Sequence, residues 1–115
     1  MTESIPVSWA PESCALPTVE RPLREAAFAA LFHDHLTRVR RPAPAVAELV
    51  LDRANPARVR ELVALEASCC SFFTFDVREA AGRVRLNVGV PSGQVPVLDA
   101  LVASAVAASG AEVTP

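Results

Sequence analysis

The chain has 115 residues, 51% of them hydrophobic and 21% charged, with a formal net charge of -2. That composition suits one globular domain with one core and excludes disordered and fibrous classes. All eleven basic residues are arginine and they form no long block, so nucleic acid is not an expected partner.

In chain order, residues 1–21 read as a proline-rich irregular arm, with Pro6, Pro11 and Pro17 as breakers and Trp9 expected to anchor it by burying its ring. The arm has neither a positive n-region nor an apolar h-region, which gives cytoplasmic residence as the expectation. Leu23, Ala27, Phe28, Leu31, Phe32, His35 and Val39 recur at helical spacing, predicting a helix over 22–39 that ends at "RRPAP". Arg38, Arg40 and Arg41 would then be cations at its C-terminus. "AVAELVLD", residues 45–52, reads as a central strand because both faces are largely apolar. Asn55 followed by Pro56 marks a helix start, and that helix should run to about Cys69.

"SFFTFDVRE" then alternates through Phe73, Phe75 and Val77, and "RVRLNVGV" through Val84, Leu86, Val88 and Val90. Gly82 between them is available for a positive φ in a hairpin. The spacing predicts a last helix over 95–109, stopped by Gly110. Its apolar run is interrupted by Asp99 and is rich in alanine, so no membrane partner is expected. The whole is one domain, 1–115, of α+β class in α-β-α-β-β-α order. A three-stranded sheet is expected, four-stranded if "AEV" after Gly110 pairs, with helices packed on it. The β-α-β-β-α portion has ferredoxin-like split βαβ character.

The chemistry concentrates in "EASCCSFFTF", residues 66–75. On the helix ending there, Glu66 falls within the apolar stripe of Val59, Leu62 and Val63, one turn before Cys70, with Cys69 at the stripe's edge. A carboxylate on a core-facing stripe is costly unless it is neutral, paired or bound to a cation. A second reading lets the helix end tilt toward solvent, with Glu66 paired to Arg83 or Arg85. The cysteines also carry two readings. Cysteine packs as a small hydrophobe, yet adjacent cysteines diverge in regular structure and cannot easily both fill one core face. Three cysteines are an odd number and do not suit a secreted disulfide framework. The partial negative charge of a helix C-terminus disfavours a spontaneous thiolate but not one created by a bound soft cation. Cys14, on the arm, would be the third ligand. Thiolates favour Hg(II), As(III), Cu(I) or Zn(II), and the C-x₂₋₄-C pairs of zinc ribbons are absent. His35 lies on an apolar helix face, where a core histidine is the commoner reading, and His33 should face solvent beside Asp34.

"CALPTVERPLREAAFAALF" (14–32), "LVALEASCCSFFTFDV" (62–77) and "VPVLDALVA" (95–103) together resemble small bacterial proteins with an E-x-x-C-C-x-F-F-x-F signature, often found beside MerR-type heavy-metal regulators. The resemblance implies handling of a thiophilic metal or metalloid, with Cys14, Glu66, Cys69 and Cys70 at the matching positions. The leading expectation is thus a thiolate-based binding protein for a soft metal or metalloid ion. Its rivals are a small lyase or thiol transferase using Cys69 or Cys70 with Glu66 as acid or base, and an interaction module with structural cysteines that forms a homodimer through an open sheet face.

Overall fold

A computed structural model describes residues 21–69 and 72–115. The proline-rich arm, Trp9, Cys14 and Cys70 lie outside the described residues. The element order is α1 (Arg21–His35), β1 (Leu36–Ala43), β2 (Val46–Asp52), α2 (Pro56–Cys69), β3 (Thr74–Ala80), β4 (Arg83–Gly89), a 3₁₀ turn (Ser92–Gln94), α3 (Val95–Ser109) and β5 (Glu112–Thr114). The class is α+β, but the sheet has five strands in the order β3-β4-β2-β1-β5, not three or four.

The extra strand is β1. The first helix stops at His35, and Leu36–Ala43 pairs with β2 instead of continuing to Val39 as a helix. Thr37 and Val39 are β-branched and suit a pleated surface better than a helix. The register passes from Leu36↔Leu51 to Arg38↔Val50, so two residues of β1 oppose one of β2 in a bulge. That extra residue lets Leu36 and Val39, three apart, both face the core at 6% and 0% exposure. Arg38, Arg40 and Arg41 are therefore strand residues and not a helix terminus. Pro42 lies beyond the stretch of β1 that pairs with β5, Arg38 to Arg40, where its missing N–H costs no bond on that side.

β2 is central in hydrogen bonding, flanked by β1 and β4, but it is covered on one side only. Ala47, Leu49 and Leu51 enter the core, while Glu48 and Asp52 take the other face with Val50. Val39, Val84, Leu86 and Val88 join the core side, where one continuous cluster also takes Phe28, Phe32, Val59, Leu62, Leu98 and Val102. All three helices thus cover a single face of the sheet. β2 and β3 are each antiparallel to β4 and lie on either side of it, so β2-α2-β3 is a split βαβ unit.

The β3–β4 hairpin turns through Ala81 and Gly82, with φ of 55° and 78°. Both central residues therefore lie in the left-handed region that a type I′ turn requires. Gly82 fits without cost, whereas the Cβ of Ala81 is strained there. At the other end of the sheet one Arg41 guanidinium nitrogen donates to the Pro44 carbonyl at 2.6 Å and to Asp99 Oδ1 at 2.9 Å, pinning the β1–β2 turn to α3. The segment Ser92–Ser109 is apolar and long enough by composition to cross a membrane. In the fold, α3 buries Leu98, Leu101, Val102 and Ala105 in the core. Replacing Ala81 by Asn should raise the urea midpoint at unchanged m, for a gain of about 1 kcal/mol, measured by equilibrium unfolding.

Candidate functional site

The start of α2 is fixed by local chemistry. Asn55 Oδ1 accepts from the Ala57 N–H at 2.9 Å, and the Val59 N–H donates to the Asn55 carbonyl at 3.1 Å. This is the side-chain cap that Asn-Pro announces. Just before it, Arg53 takes a positive φ of 61° and its N–H donates to the Gly82 carbonyl at 3.0 Å, tying the entry of α2 to the hairpin tip. Further along, Arg60 on α2 approaches Glu79 on β3 at 3.6 Å. Both side chains of that pair are half exposed, so it adds little, and the rotational setting of the helix comes from its apolar face.

That setting buries Val59, Leu62 and Val63 and, one turn on, Glu66. At 1% exposure, Glu66 is the one charged residue in the buried set among the described residues. The helix end does not tilt toward solvent. Arg83 and Arg85 are not its partners, because they project from the opposite face of the sheet, where Arg83 Nε lies 3.1 Å from Asp52 Oδ1 and Arg85 lies 4.0 Å from Glu48 Oε2. Glu66 sits three residues before Cys69, the last residue of α2. After it, Phe72, Phe73 and Phe75 form a ring cluster, with centroids 4.8 and 5.2 Å apart and Phe73 buried. These aromatics are core and lead the chain into β3.

Of the three cysteines, Cys14 and Cys70 lie outside the described residues and Cys69 is placed here only as the end of α2. Among the described residues, no group of three His, Cys, Asp or Glu side chains could share a metal ion. His35 does not extend the Glu66 site: its Nδ1 lies 3.0 Å from the Asp52 carbonyl, a bond from α1 to the end of β2 that fits a structural histidine. His33, exposed, meets Asp34 Oδ1 at 3.1 Å.

No protein-family model, curated protein or solved structure matches the chain. Function therefore rests on the residues themselves.

Sequence reading did not anticipate the charged side of the sheet. Arg40 pairs with Glu48 at 3.1 Å and Arg78 with Asp76 at 2.7 Å. The hydrogen bond and charge of Asp76 hold the Arg78 guanidinium above its ordinary pKa. The signal lies in the alternation of "TRVRR" and "RVRLN", but the first reads as a helix end, and the arginines of the second are offered to Glu66. Truncating Asn55 to Ala should lower stability by about 1 kcal/mol through loss of the α2 cap, measured by urea unfolding. The same change should leave the far-UV helix signal largely intact.

Proposed function

We propose that the chain is a thiolate-based binding protein for a soft metal or metalloid ion, with Cys69 and Cys70 as ligands, Cys14 as the third, and Glu66 as ligand or supporting carboxylate. The observation that carries this reading is Glu66. A carboxylate at 1% exposure is held in a core only when it is neutral, paired or bound to a cation, so its place on this stripe marks a polar site inside the fold. Here it precedes two adjacent cysteines by three and four residues. Soft cations displace thiol protons on binding, and a neighbouring carboxylate either accepts such a proton or offsets the charge of the cation. The ion is cargo in this reading, and its delivery or sequestration is the activity.

The test is titration of the reduced full chain with Hg(II), As(III), Cu(I) and Zn(II), following ligand-to-metal absorbance and competition with a chelator. One of these ions should bind tightly. Cys69→Ser and Cys70→Ser should each abolish that binding, and Glu66→Gln should weaken it by about 10- to 100-fold. If the double serine variant binds every ion as well as the unaltered protein, the proposal is wrong.

The same buried carboxylate favours a second reading, in which Cys69 or Cys70 is a nucleophile and Glu66 its acid or base. That reading requires one cysteine to alkylate far faster than the others near neutral pH, with a rate that Glu66→Gln changes. Equal and slow alkylation of all three thiols eliminates it.

A further inference from the structure

The sheet face turned away from the helices holds a second constellation, separated from Glu66 by the sheet itself. Alternation along β1, β2 and β4 gathers Arg38, Arg40, Arg83 and Arg85 around Glu48 and Asp52, in an open basin of about 440 Å³ floored by Val50. Both carboxylates are already committed, Glu48 to Arg40 and Asp52 to Arg83, each at 3.1 Å. Arg85 reaches Glu48 only at 4.0 Å. Among the described residues, no carboxylate stands within ion-pairing distance of Arg38.

Four guanidiniums thus share two carboxylates, Glu112 stands beside Arg38 in register on β5 without reaching it, and the placement of Arg38 and Arg85 is specific. In register, Arg38 and Arg85 both lie opposite Val50, one on each side of it. Their backbones are about 10 Å apart, two strand spacings, a gap that two arginine side chains can close from either side. The guanidinium fork matches carboxylate and phosphate oxygens bidentately. The basin is too large for an inorganic oxyanion alone, and its apolar floor, Val50 at 9% exposure, suits a carbon skeleton. A second copy of the chain is a poor occupant, since twofold docking would set one net-positive basin against another. Nucleic acid is a poor one as well, because so small a positive excess on a chain of net charge -2 holds too few phosphates.

We infer that this basin binds a small organic dianion, with Arg38 and Arg85 holding its oxygens and its carbon body lying over Val50. A dicarboxylate and a phosphate monoester share that chemistry and differ in whether the charge is at two ends or one.

Calorimetric titration of the full chain at low ionic strength, with succinate in one arm and glycerol 3-phosphate in the other, separates them. Saturable one-to-one binding of either is expected. Arg38→Gln and Arg85→Gln should each weaken it about tenfold or more, and Arg58→Gln, on α2 across the sheet and already paired with Glu61 at 2.9 Å, should leave it unchanged. Glu48→Gln should strengthen binding, an effect in the opposite direction that loss of structure cannot mimic. Binding of neither ligand, equal weakening by Arg58→Gln and Arg38→Gln, or weaker binding by Glu48→Gln would each overturn the inference.

Discussion

Everything polar in this fold is sorted by the coverage of one sheet face. Val39, Ala47, Leu49, Leu51, Val84, Leu86 and Val88 form a single apolar surface on which the three helices lie. Fully burying each valine or leucine of this surface stabilises by roughly 1.5–3 kcal/mol, so the strands cannot be turned over without losing the core. Because side chains alternate along a strand, fixing that surface also fixes the other: Arg38, Arg40, Glu48, Arg85 and Asp76 stand on the solvent side by consequence. Glu66 is the exception, a charged group retained on the buried side.

Elements with strong local signals were readable from the residues alone. α2 begins at Pro56 because Asn55 caps it, and α3 runs Val95–Ser109 because Gly110 takes a left-handed φ of 75°. Strand β1 was not readable, for a physical reason. A bulge at Thr37 places Leu36 and Val39 on one side of the sheet at a spacing of three, which is the spacing of a helix face. The pattern that would betray a strand is erased by the residue that lets the strand fit. Misassigning β1 also hid the arginine basin, since Arg38 and Arg40 had been placed at a helix end.

The inward turn of Glu66 followed from the phase of α2 alone, because Val59, Leu62 and Val63 define the stripe that it extends. The pairing of Arg83 and Arg85 did not follow, because it depends on which strands become neighbours. Arg83 faces Asp52 across the β2–β4 ladder, and Arg85 flanks Val50 there, relations that no local pattern encodes. The two candidate regions therefore differ in origin. One is written along a single helix, and the other exists only once three strands have met.

Strand β5 makes the same point for assembly. Glu112–Thr114 is short, and it lies parallel to β1 after α3 has crossed back over the core. During synthesis, β1 can pair with β2 as soon as their hairpin forms, but its outer edge must wait for the entire remainder of the domain. An unpaired edge invites pairing with another chain, and such long-range closures are slow to form. The bulge that twists β1 and the proline at position 42 stand on that waiting edge. Features that complicate the native ladder thereby also make the unfinished sheet a poor template for aggregation.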